Sequence, residues 1–293
     1  MSKPSFRFGT VGTPINKPKN PGGSVGGIYY LEEIGLSALE LGWVRSVRVS
    51  EATAKKIKEA GAERDVLLSV HAPYYINLNA DEEEWPKSRK RLMDAARAGD
   101  ASGATDIVFH PGSYFNQPAA DVLEIVMPRL EDCVRELRAE DNPVILRPET
   151  MGKSAMLGSL DDTLAMSSIN GVEPCLDFAH LHARPGDGSI NSTGEWLEIL
   201  ETYQKALGED SIKRLHCHIS GIEYSAKGEQ NHLVISESDF DLNALFQALK
   251  ETKAEGRMLC ESPTLEEDAL VVKHTWQVIS GEDVHLVSSE IPE

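Results

Sequence analysis

One pattern constrains the fold of this chain above all others. Short β-branched and apolar runs alternate, eight times over, with longer stretches of helical period. The strand candidates are Phe6–Val11, Ala38–Val49, Val66–His71, Asp106–His110, Pro143–Glu149, Pro174–Phe178, Arg214–Ile219 and Met258–Glu261. The helix candidates are Tyr29–Gly35, Glu51–Ala60, Ser88–Ser102, Ala120–Glu140, Leu160–Ile169, Glu195–Leu207, Leu242–Glu255 and Leu265–Ile279. Eight strand–helix units within 293 residues predict an α/β chain whose parallel sheet closes on itself, a single-domain (β/α)8 TIM barrel. An open doubly wound sheet is the alternative. It asks for a glycine-rich phosphate loop after the first strand, and Phe8-Gly9-Thr10-Val11-Gly12-Thr13 does not supply one.

Local signals refine this outline. Ser50 suits an N-cap, with Thr53 in place of the acidic partner of a full capping box. Gly61 reads as a helix stop, and Pro128 as a kink or restart in the fourth helix. Asn16–Gly27 reads as a flexible loop and residues 281–293 as a flexible tail. No linker, charge block or internal repeat interrupts the pattern.

Composition excludes several classes. With 41% hydrophobic and 26% charged residues the chain is neither disordered nor fibrous. No window approaches the length of a membrane span. The N-terminal Met-Ser-Lys-Pro-Ser-Phe lacks an apolar signal core, so the expected address is the cytoplasm. A net charge of −18 argues against nonspecific nucleic-acid binding, unless positive charge enters the site as metal ions. Cys133, Cys175, Cys217 and Cys260 are dispersed and read as reduced, buried thiols.

The chemistry collects at strand ends. His71, His110 and His218 lie at or near the ends of the third, fourth and seventh strands, and Glu149, Asp177 and Glu261 close the fifth, sixth and eighth. The C-terminal ends of a parallel barrel form one face, where active sites are built. A lone histidine at a strand end is usually a polar residue leaving the core, but six metal-capable side chains on one face are a different matter. Imidazoles and carboxylates without thiolates suit Zn²⁺, Mn²⁺ or Fe²⁺. Trp43, Trp85, Trp196 and Trp276 read as packing, and His274 and His285 as solvated.

The same positions carry a resemblance. His71-Ala-Pro-Tyr74-Tyr-Ile-Asn77-Leu, Phe109-His110-Pro111-Gly112-Ser113, Arg147-Pro148-Glu149-Thr150-Met-Gly152-Lys, Leu176-Asp177-Phe-Ala-His180 and Cys260-Glu261-Ser262-Pro263 resemble the successive motifs of endonuclease IV, the family-2 apurinic/apyrimidinic endonucleases. The likeness runs from about Val66 to Trp276, in family order. Each motif alone is weak and the set is specific. His218-Ile-Ser-Gly-Ile-Glu-Tyr is similar to an archaeal branch.

The resemblance implies a barrel with two to three zinc ions that nicks damaged double-stranded DNA on the 5′ side of an abasic site. Carried over by position, His71, His110 and Glu149 hold the first ion. Glu149 bridges to a second, completed by Asp177, His218 and Glu261, and His180 and His232 hold the third. Glu149 and Glu261 then rank as catalytic, and Tyr74 matches a tyrosine in the loop that enters the DNA in that family. The chain departs from the family's Asp-x-His at Gln230-Asn231-His232. Glu229, one residue further off, takes the missing carboxylate's place only if the loop bends. Arg45 and Arg48 are the basic residues after the second strand. No protein partner is implied. Two other functions fit such a barrel: a sugar isomerase or epimerase, which needs a small closed pocket, and a catalytically silent metal-binding interaction module.

Overall fold

A computed structural model describes residues 5–282. The proposed tail lies outside the described residues from position 283 onward, as does His285. Eight parallel strands form one sheet: β1 (Phe6–Val11), β2 (Ala38–Gly42), β3 (Leu67–His71), β4 (Asp106–Phe109), β5 (Ile145–Pro148), β6 (Leu176–Asp177), β7 (Leu215–Ile219) and β8 (Gly256–Cys260). Their order is β5-β4-β3-β2-β1-β8-β7-β6. Parallel bridges Leu146–Val172 and Glu149–Cys175 join β5 to the segment entering β6, and the Thr150 and Cys175 amides donate across that seam, each at 3.0 Å. The sheet therefore closes, as the eightfold alternation requires.

The helices are α1 (Gly23–Glu33), α2 (Glu51–Arg64), α3 (Trp85–Ala101), α4 (Ala119–Ala139), α5 (Leu160–Met166), α6 (Phe178–Ala183), α7 (Thr193–Leu207), α8 (Leu242–Glu251) and α9 (Glu266–Ser280). Two antiparallel pairs decorate the C-terminal face: Gly112–Ser113 with Met156–Leu157, and the hairpin Gly221–Ser225/Gly228–Leu233. Among the described residues no helix is long and apolar enough to cross a membrane.

Several boundaries differ from the sequence-based outline. The glycine-rich stretch is helical from Gly23, so only its first half is loop. Strand β2 stops at Gly42, and Arg45 and Arg48 are exposed in the following loop. Gly61 does not end its helix. The helix runs to Arg64 and is capped by Asp65 in the left-handed region. Gly61 serves packing instead, because a β-carbon there would meet Leu68 Cδ1 at 2.8 Å. The Pro128 helix continues unbroken to Ala139. Short α6 and the hairpin over 221–233 went unforeseen. Both are too brief to show a period.

The barrel interior is more polar than the branched aliphatic layers usual in such folds. Near its N-terminal end, Asp106 Oδ1 lies 2.5 Å from Arg147 Nε and its Oδ2 2.9 Å from Arg257 Nη2. Burial would raise the Asp106 pKa, but the two guanidinium groups overcome it and hold the carboxyl far below its usual range. Higher up, Glu40 of β2 pairs in register with Ser69 of β3, and Asp177 of β6 with His218 of β7. These registers bring side chains from different strands to one level at the mouth.

Candidate metal centre

Glu149 sits at the middle of the mouth, fully buried just past β5. Its Oε2 lies 3.2 Å from His71 Nε2 and 3.3 Å from His110 Nε2. Its Oε1 lies 3.2 Å from His180 Nδ1 and 3.5 Å from His218 Nδ1. Burial would raise this carboxyl's pKa, yet His110, then His180 and His218, hold it well below the ordinary range. The relation is mutual. Desolvation would lower His71, but the Glu149 carboxylate outweighs it and lifts the imidazole to about 9.

Three groups of potential ligand atoms gather along this rim, each with its atoms within 4.8 Å of one another. His71, His110 and Glu149 form the first. Glu149, Asp177, His218 and Glu261 form the second, sharing the glutamate. His180, Glu229 and His232 form the third. Every residue singled out as a metal ligand in the sequence thus falls into one of these groups. A cysteine-bearing combination, Cys175 with His216 and His218, lies deeper. Burial raises the Cys175 pKa well above the ordinary range, so that thiol stays neutral. It acts as the small buried hydrophobe expected of it.

Local structure aims each ring. The His71 Nδ1–H donates to the Ala72 carbonyl at 2.9 Å and leaves Nε2 for the cluster. Asp177 caps α6 by accepting from the His180 amide at 2.7 Å, which places that ring beside the carboxylate. His180 Nδ1 meets the Thr150 carbonyl at 2.9 Å, and Nε2 faces Glu229 Oε2 at 3.5 Å. His232 Nδ1 meets Ser220 Oγ at 2.6 Å.

The third group depends on a β-bulge. In a regular strand, residues three apart face opposite sides, so Glu229 and His232 could not converge. In the hairpin, Tyr224 pairs with Glu229 while Glu223 pairs with Asn231, which leaves Gln230 unpaired and exposed. The extra residue resets the alternation and brings Glu229 to the face of His232. Gly152 makes room for it. A β-carbon at 152 would lie 2.6 Å from Glu229 Cβ and 3.1 Å from His180 Cδ2, and the Glu229 amide donates to the Gly152 carbonyl at 2.9 Å.

The donor set fits divalent cations. Among the described residues, thirteen buried side-chain polar atoms lack a hydrogen-bond partner, and seven belong to this mouth: Glu40 Oε1, Glu149 Oε1, Asp177 Oδ2, His180 Nε2, His216 Nδ1 and both ring nitrogens of His218. Native interiors hold only a few such atoms per hundred residues, so a concentration at one place calls for a cause. Glu40 Oε1 and His218 Nε2 face each other below the rim, while Glu149 Oε1, Asp177 Oδ2, His180 Nε2 and His218 Nδ1 belong to the ligand groups and are arranged for a partner other than protein. Tyr74 stands over the first group, its ring stacked on His110 at 5.0 Å and edge-on to His71 at 5.3 Å. It is 52% exposed, and burial of its inner side together with Glu261 and Glu149 pushes its phenol up to about 12.

Comparison with known proteins agrees with this architecture. Residues 28–278 match the model of the xylose isomerase-like TIM barrel family. The chain belongs to that family. It is 38% identical to an uncharacterized protein of Methanocaldococcus jannaschii over 266 residues, 90% of this chain and 94% of the relative. It is 29% identical to a probable endonuclease 4 of Staphylococcus carnosus over 189 residues, covering 62% of this chain and 60% of that protein. The match thus spans about three fifths of the length of that endonuclease relative. Two solved structures share the fold: endonuclease IV from Thermus thermophilus (TM-score 0.70, 18% identity, 94% of this chain and 100% of that one) and a D-tagatose 3-epimerase-like protein (TM-score 0.69, 18% identity, 94% and 99%).

Sequence reasoning missed Glu40. A single carboxylate inside Ala38-Leu39-Glu40-Leu41 looks like a surface residue, yet it is fully buried beneath the cluster. The available signal was parity, since Leu39 and Leu41 occupy one face of the strand and Glu40 the other.

Proposed function

We propose that this chain is a metal-dependent DNA repair endonuclease that hydrolyses the phosphodiester 5′ to an abasic site in duplex DNA. The observation that carries the reading is the shared glutamate: Glu149 belongs to both the first and the second ligand group, with the third group beside them. An array of this length suits a phosphodiester, whose attacking, leaving and non-bridging oxygens all need charge stabilisation. Imidazole and carboxylate donors favour Zn²⁺, with Mn²⁺ or Fe²⁺ as substitutes. When bound, such ions supply Lewis acidity and a nucleophile at neutral pH.

The chain's own residues do the rest. Glu149 and Glu261 act as the catalytic carboxylates, because both face the space shared by the ligand groups. His71, His110, Asp177 and His218 complete the inner pair of sites, and His180, His232 and Glu229 the outer one. His110 and His232 keep 21% and 27% of their side chains exposed, so the mouth opens to a large substrate. Tyr74 is placed to fill the space vacated at the lesion. An abasic sugar has no base to unstack, so extruding it costs less than flipping an intact nucleotide. The loop bearing the exposed Arg45 and Arg48 is tied to Tyr74 by the Tyr74 amide donating to the Val44 carbonyl at 2.9 Å. Bound cations reconcile a polyanionic substrate with a chain of net charge −18.

The test is a side-by-side assay of the metal-loaded protein on an abasic duplex and on a panel of ketohexoses. Metal-dependent nicking with unchanged sugars is expected. Epimerisation at C3 of a ketose without nicking would transfer the assignment to the sugar branch, and metal binding without turnover on either would mark an interaction module.

A further inference from the structure

Three cluster histidines are oriented alike. His71, His180 and His232 engage a carbonyl or hydroxyl through Nδ1. His218 is turned the other way. Its Nδ1 faces the second ligand group, 3.2 Å from Glu261 Oε1 and 3.5 Å from Glu149 Oε1, while Nε2 points down into the barrel. There it meets Glu40 Oε1 at 2.9 Å. The contact pairs two buried atoms that have no other hydrogen-bond partner.

Glu40 is itself elaborately held. Its Oε2 accepts from Ser69 Oγ at 2.8 Å and from His216 Nε2 at 2.9 Å. A fully buried carboxylate costs several kcal/mol unless it is paired. Three strands, β2, β3 and β7, contribute to this arrangement. Ser69 and His216 leave Oε1 free to act on His218.

We propose that Glu40 is the positioning residue of the second ligand group. Its negative charge beside Nε2 fixes the hydrogen of the His218 ring on that nitrogen and so presents the Nδ1 lone pair toward Glu149, Asp177 and Glu261. A histidine can ligate only through the unprotonated nitrogen, and a carboxylate on the far side selects which one that is. The inference rests on the metal reading of the mouth and is independent of the substrate.

The experiment measures metal retention without substrate. Wild type, Glu40→Gln and Glu40→Asp are loaded with Zn²⁺, titrated with chelator, and counted for ions per chain, with circular dichroism as a check on folding. Glu40→Gln keeps the size but loses the charge. It should release one ion at about 10–100-fold lower chelator strength than wild type, while the remaining ions leave as before. Glu40→Asp keeps the charge and should fall between the two. In zinc-loaded wild type, long-range ¹⁵N NMR of the His218 ring should show a protonated Nε2 and a metal-bound Nδ1. This readout stands even where Glu40→Gln fails to fold. Wild-type retention in a folded Glu40→Gln, equal weakening of every ion, or a metal-bound Nε2 would overturn the role of Glu40 alone. A wild type that binds no metal at all would overturn the metal reading together with it.

Discussion

Replacing Glu149 with glutamine should have the largest effect of any single change. The substitution preserves volume, so the barrel has no cavity to collapse. It removes the charge that Oε1 and Oε2 present to four imidazoles, all within 3.5 Å. It also places an amide N–H₂ against nitrogens that must offer lone pairs. The first group would retain only His71 and His110, below the three protein ligands that a zinc site ordinarily requires, and the second would lose one of four. Loss of at least about 10²-fold in affinity follows, about 2.7 kcal/mol, with a comparable loss of activity. Elemental analysis after dialysis against a weak chelator, alongside nicking of a labelled abasic duplex, measures both. A Glu149→Gln protein that keeps its metal and nicks like wild type would refute the assignment of Glu149 to both ligand groups.

Four further outcomes are expected. Tyr74→Ala should weaken binding to an abasic duplex by about 1–3 kcal/mol with metal content intact; unchanged affinity with a lowered melting temperature would make Tyr74 a packing residue. Under graded chelation one ion should leave before the others, and Glu229→Ala should reproduce that partly depleted state; full occupancy and rate in Glu229→Ala would place the third ligand elsewhere. The folded-state pKa of His71 is raised from 6.5 to about 9, so its contribution to the metal-free protein is complete below pH 6.5 and is lost as pH rises through 9. Because metal competes with those protons, the gap in melting temperature between metal-loaded and metal-free protein should widen over that window, and a constant gap would contradict the coupling. Asp106→Ala should cost about 1.5–3 kcal/mol in urea denaturation by removing the carboxylate that Arg147 and Arg257 share, Arg147 keeping Glu173 Oε2 at 3.2 Å, with metal binding unaffected.

The barrel was legible in the sequence because its signal repeats. Eight strand–helix alternations survive errors of several residues in any one boundary, as with β2, which ends at Gly42 instead of Val49. The candidate cluster was legible because a parallel barrel converts a strand-end position into a place on one face, which is how His71, His110, Glu149, Asp177, His218 and Glu261 converge. Position along the strand could not foretell which nitrogen of a ring faces inward. That depends on the Ala72 and Thr150 carbonyls, Ser220 and Glu40, which only packing reveals. Glu229 was legible only as the nearest carboxylate, conditional on a bend in its loop. Its convergence with His232 rests on a one-residue bulge, and no local composition marks Gln230 as the residue left out of the pairing.

The most direct test of the account is one incision assay. A duplex with a single tetrahydrofuran abasic analogue, labelled at the 5′ end of the damaged strand, is incubated with zinc-loaded protein, and the product is sized against a ladder. One cut immediately 5′ to the analogue is expected, leaving a 3′-hydroxyl, requiring bound metal and absent from Glu149→Gln. An intact strand at full metal occupancy, or a cut on the 3′ side of the lesion, would contradict it.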